Sequence, residues 1–142
     1  MGEMKRVRHN YLAIGVAAVA CFLFEAAWYT IFLQAWLDGI GRTMAELQAI
    51  GVNPGLQYAT ALLCAALLAT TISGVVQLTG EQTALRGMKV SAFLWLGCVL
   101  TTWATEYVFE ERTYKLFAIN LGFWLIGMVL MGAIVGGWKK KA

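Results

Sequence analysis

Glu25 is the one carboxyl set deep inside a long apolar run of this chain, flanked by Phe24 and Ala26. Moving an ionisable group to the middle of a membrane costs about 2.5 to 3.5 kcal/mol, so a carboxyl kept there needs either hydrogen-bonding neighbours or a task. Tyr29 comes one helical turn later, and Thr70, Thr102 and Asn120 fall at comparable depth on three other apolar runs. Glu25, Tyr29, Thr70, Thr102 and Asn120 therefore form a candidate polar binding cluster. Two chemistries are open to it. A neutral glutamic acid could bond to its neighbours and glue helices together. A carboxyl that titrates or binds a ligand is the alternative, since intramembrane ionisable groups mark functional sites by default.

The other reactive residue types form no site. Cys21, Cys64 and Cys98 stand singly inside apolar runs, without a Cys-x-x-Cys or a Cys/His cluster, and read as small buried hydrophobes. His9, the only histidine, sits among basic residues before the first apolar run and reads as interfacial; one axial histidine gives weak support to haem or chlorophyll. Glu106, Glu110 and Glu111 read as a solvated acidic cap. Phosphate-cradling glycine loops, Ser/His/Asp sets and metal-ligand spacings are missing from the sequence, so no catalytic residue, metal or cofactor is expected.

The elements that carry Glu25 follow from composition. Of 142 residues, 60% are hydrophobic and 13% charged, about half the usual charged share of roughly 25% in soluble domains. So few charges cannot clothe a soluble surface of this size, which leaves lipid as the solvent. A spanning helix needs about 20 apolar residues, and four runs qualify, at about 10–37, 54–79, 87–107 and 116–138. The expected fold is all-α: an integral membrane four-helix bundle in a single transmembrane domain over residues 1–142. Lys5, Arg6 and Arg8 before an apolar stretch resemble a secretory leader, but the run continues to Leu37 and reads as a span.

Basic residues set the orientation. Lys5, Arg6, Arg8, Arg86, Lys89, Lys139, Lys140 and Lys141 fall on one side, against Arg42, Arg112 and Lys115 on the other. The bias predicts both termini in the cytoplasm. The net charge of +3 is thereby used in topology, and no nucleic-acid partner is expected. Trp28, Tyr29, Trp36, Tyr58, Trp103, Tyr107 and Tyr114 make an aromatic belt near the outer boundary. In the loop at 38–53, Thr43 and Glu46 form a capping-box pattern that predicts a short extracytoplasmic helix over 44–50, stopped by Gly51. Asn53-Pro54 reads as the cap and first turn of the second span.

Small residues at four-residue spacing predict packing seams. They are Ala13, Ala17 and Cys21 on the first span, Ala61, Ala65, Ala69 and Ser73 on the second, and Cys98, Thr101, Thr102 and Thr105 on the third. The fourth offers Gly132, Ala133, Gly136 and Gly137.

Asn10-Tyr11-Leu12-Ala13, Trp28-Tyr29-Thr30, Trp36 and Met131-Gly132-Ala133-Ile134 together resemble domain-of-unknown-function family 1761, small bacterial four-span membrane proteins. The resemblance covers essentially the whole chain. It implies a multi-pass fold in a bacterial plasma (inner) membrane and no established activity. Many members carry glycine three residues before the Trp-Tyr pair, where this chain has Glu25. The expected role is a non-catalytic component whose partners are membrane lipid and either further copies, as a homo-oligomer, or other membrane subunits. A proton-coupled carrier or channel using Glu25 is the alternative, and a lipid- or quinone-related enzyme ranks last.

Overall fold

The structure, a computed structural model, describes residues 6–141; Lys5, counted in the basic bias, lies outside the described residues. Side-chain caps open five of the helices. The Asn10 carboxamide oxygen accepts from the Ala13 amide at 3.2 Å and starts α1 (Tyr11–Ile31). Thr43 and Glu46 complete both halves of the capping box at the head of α3 (Met44–Ile50), which ends on Gly51 at φ 71°. Hydrogen bonds from the Thr43 amide and hydroxyl hold the Glu46 carboxyl below its ordinary value. Asn53 caps α4 (Pro54–Thr79), with Pro54 in its first turn. Thr83 and Thr113 cap α5 (Ala84–Leu94) and α7 (Tyr114–Gly137), so both spans begin before the apolar residues announce them.

Two spans depart from a simple rod. The run expected as one helix to residue 37 breaks at Phe32 (φ −98°, ψ 15°), and α2 (Leu33–Ile40) comes after it. The break turns α2 onto the start of α7, burying Leu37 and bringing Gly39 so close to Leu116 that a Cβ on it would lie 2.8 Å from the Leu116 Cβ. The third span runs as α5, a π-helical stretch over Trp95–Leu100 and α6 (Thr101–Phe109). A π turn widens the helix and shifts the faces that the next turns present.

Four helical segments, Tyr11–Ile31, Pro54–Thr79, Ala84–Phe109 and Tyr114–Gly137, are long and apolar enough to cross a membrane. They alternate in direction. The hydrogen bonds of residues 8–10 to Gln77, Ser73 and Trp138, and of Gln82 to the Val135 carbonyl, gather both ends of the described chain at one end of the bundle. Half of the apolar window of α7 (50%) is buried against α1, α4 and α5, whereas only 11% of the third span's is. The core therefore runs along α7, with Ala17, Cys21, Ala69, Ile72, Val76, Phe123, Met128 and Met131 buried around it. Leu12, Leu23, Leu63, Leu67 and Phe93 point outward, as a lipid-facing surface requires.

Closest approach occurs where α5 crosses α7. A Cβ on Gly87 would lie 1.8 Å from the Gly132 carbonyl oxygen, and one on Gly136 would lie 2.4 Å from the Thr83 carbonyl oxygen. Gly137 is exposed, its Cβ position 3.2 Å from that of Ala84, and Ala133 is half-buried. The glycine pair of α7 is thus packed inside the chain. On the third span, Cys98, Thr101, Thr102 and Thr105 are all exposed. Cys21 is buried as expected of a small hydrophobe, but Cys64 and Cys98 face outward, and all three thiols are free.

Candidate functional site

Glu25 is half-buried on α1 between two clefts at the end of the bundle away from the chain termini. The larger, about 420 Å³, has Tyr29, Trp36, Trp103, Asn120 and Trp124 around the carboxyl. The smaller, about 270 Å³, lies toward α4 and adds Gln57 and Tyr58. The cleft exists because α6 carries a single buried residue, Tyr107, and does not close over α1 as α5 closes over α7.

Asn120 is the fixed point. Its carboxamide oxygen accepts from the Tyr29 hydroxyl at 2.7 Å, and its amide nitrogen donates to the Tyr107 hydroxyl oxygen, also at 2.7 Å. One side chain on α7 thereby ties α1 to α6. The Tyr107 ring is held by Phe117 at 5.2 Å and Trp103 at 5.9 Å, with the Arg112 guanidinium, itself paired to Glu110, 5.4 Å above it. Two indoles brace the same helix: Trp28 donates to the Ile119 carbonyl at 3.0 Å and Trp95 to the Leu121 carbonyl at 3.1 Å. The first lies on α1 and the second in the π stretch, so α7 receives a bond from each side.

Of the five residues expected to cluster, the structure brings Glu25, Tyr29 and Asn120 to one cleft. Thr70 turns back onto its own helix, donating to the Ala66 carbonyl at 2.8 Å. Thr102 does the same toward Cys98 and Val99 and is exposed. Equal depth does not make neighbours when the helices present different faces. Tyr107, Trp36, Trp103 and Trp124 also belong to the site, although the sequence marks the first three only as interface anchors and does not single out Trp124. A signal for Tyr107 is present: it lies 13 residues before Asn120 across a short turn, the spacing of facing positions on antiparallel helices.

Glu25 itself makes no hydrogen bond or ion pair among the described residues. Chemically, the cleft offers a carboxyl with free acceptor capacity beside a fixed tyrosine–asparagine pair, walled by three indoles. It suits a donor-bearing group carried on an apolar body. No group of three His, Cys, Asp or Glu side chains that could hold a metal occurs among the described residues.

Four membrane-length helices with a lateral cleft define a multi-pass helical membrane protein. The chain belongs to the family described as Protein of unknown function (DUF1761), whose model matches residues 12–136. No curated protein and no solved structure matches it.

Proposed function

We propose that the chain is a non-catalytic subunit of a membrane assembly, formed with further copies or with another membrane protein, and that a partner helix docks at the Glu25 cleft. The observation that carries this reading is the carboxyl of Glu25, set within a membrane-length helix and without a hydrogen-bonding partner among the described residues. A polar group in that position gains from any donor brought across a helix contact. The exposed Gly97, Cys98, Thr101, Thr102 and Thr105 supply a small-residue surface on the third span. Association does not run through Gly132 and Gly136, which the fold consumes internally.

Native mass measurement and cross-linking in mild detergent test this. The intact chain is expected above monomer mass or with a co-purifying chain. Glu25→Gln, which keeps shape and hydrogen bonding, is expected to associate normally, and Glu25→Leu about tenfold more weakly, the equivalent of 1 to 2 kcal/mol for an interhelical hydrogen bond. Lone monomers throughout would sink the reading.

A second reading, a proton-coupled carrier, rests on the access to Glu25 from clefts on two sides of α1. It requires pH-dependent uptake in vesicles that Glu25→Gln abolishes without loss of stability. On the same footing we place the protein in a bacterial plasma membrane with both termini cytoplasmic. Supporting this, Arg6, Arg8, Arg86, Lys89 and Lys139 to Lys141 gather at the end of the bundle where the chain ends lie. Reporter fusions at either terminus should be active only in the cytoplasm, and an external signal would reverse the orientation.

A further inference from the structure

The basic end of the bundle carries a built cleft that plays no part in docking at Glu25. Arg6, Arg8, His9, Tyr11 and Lys140 surround about 470 Å³, and among the described residues no acidic side chain lines it. The neighbouring Lys139 is directed to Glu81 at 3.8 Å. Three hydrogen bonds hold the extended segment that forms the cleft. The Arg8 amide donates to the Gln77 side-chain oxygen at 2.9 Å, the His9 ring meets the Ser73 hydroxyl at 3.3 Å, and the Asn10 amide nitrogen donates to the Trp138 carbonyl at 3.3 Å. Gln77 and Ser73 are themselves buried, so the segment is anchored in the core.

Directly beneath lies an exposed apolar face of α1, running from Tyr11 past Gly15, Val16 and Val19 to Leu23. Tyr11 belongs to both, and the Lys140 ammonium stands 5.9 Å from its ring. At 1.5 Å per residue, the face from Tyr11 to Leu23 descends roughly 18 Å, close to the roughly 15 Å hydrocarbon depth of one leaflet.

We propose that this cleft and the helix face below it hold one anionic phospholipid, its phosphate among Arg6, Arg8 and Lys140 and an acyl chain along the Tyr11–Leu23 face of α1. Three formal positive charges, with no carboxylate among the described residues that line the cleft, favour an anionic headgroup and repel the cation of a zwitterionic one. The apolar face that continues below the cleft suits an acyl chain, which a free phosphate lacks. Basic pockets beside membrane helices at the interface take headgroups by this chemistry.

The test uses the full chain in mild detergent, with lipid retention read by native mass spectrometry. Phosphatidylglycerol is expected to be retained about tenfold or more over phosphatidylcholine, with millimolar inorganic phosphate failing to displace it. Each charge removed should weaken retention about fivefold, the usual attraction of one basic side chain for an anionic headgroup. The triple variant Arg6→Gln, Arg8→Gln, Lys140→Gln should therefore lose the preference, while Arg112→Gln with Lys115→Gln at the opposite end should keep it. Gly15→Leu places a side chain in open space on this face, and should weaken lipid retention with an unchanged melting temperature. Arg6→Gln alone, at an exposed position, is the variant to read should the triple one unfold. Equal retention of the two lipids, a preference that survives the charge removals, displacement by phosphate, or indifference to Gly15→Leu would each overturn the proposal.

Discussion

Gly87→Ala is expected to destabilise the bundle by about 1 to 3 kcal/mol, and Gly132→Ala by a similar amount, read as a lower thermal unfolding midpoint in detergent. A methyl on Gly87 would sit 1.8 Å from the Gly132 carbonyl oxygen, and one on Gly132 would sit 2.3 Å from the Gly87 carbonyl oxygen. The obstacle in both cases is backbone, which cannot rotate aside as a side-chain end can. Relief requires α5 and α7 to separate by about 1 Å or more over the tightest contact in the protein. The crossing also holds Ser91, whose buried hydroxyl lies 2.2 Å from a Cβ at position 132 and has no hydrogen-bond partner. Gly136→Leu should be worse still, because its Cβ meets the Thr83 carbonyl oxygen at 2.4 Å and the rest of the side chain has nowhere to go. Gly15→Ala is the control, with nothing within 4 Å of the added carbon. An unchanged midpoint for Gly87→Ala would mean that the two helices do not meet as described.

Asn120→Ala should cost about 1 to 3 kcal/mol, from two interhelical hydrogen bonds averaging about 0.6 and reaching about 1.7 kcal/mol each, with a small cavity added. The side chain is 8% exposed and joins tyrosines from two other helices, so its loss frees α6 as well as α1. Tyr107→Phe removes one of the two bonds and should cost less than half as much. In the double variant Tyr107→Phe, Asn120→Ala, the tyrosine change should add almost nothing, because its partner is already gone. Unfolding midpoints for the four proteins give the coupling directly. Full additivity would show that the two side chains do not interact.

Local signals in the sequence point to the right places. Thr43 and Glu46 announce α3, Gly51 its end, and Asn53-Pro54 the start of α4. Each is a side chain or a glycine satisfying backbone needs a few residues away, so no distant contact is needed to recognise it. The break at Phe32 is not legible, because it lies in an uninterrupted apolar run and hydropathy carries no information on φ and ψ. It is explained by α2 turning onto α7, where Gly39 meets Leu116. The π stretch at Trp95–Leu100 is likewise silent in composition.

What the sequence determined by itself is how many helices are long and apolar enough to cross a membrane, because insertion depends on transfer free energies summed along each segment, independent of its neighbours. The tertiary structure decided which faces meet. All four spans carry small-residue stripes, yet Gly132 and Gly136 pack against α5 while Thr101, Thr102 and Thr105 face outward. In water, an amphipathic pattern would have told these apart. In lipid, a spanning helix is apolar all round, so its rotation is set by close packing and by the few polar partners it finds. For that reason Tyr29 and Asn120 meet, with Tyr107 in place of Thr70 and Thr102.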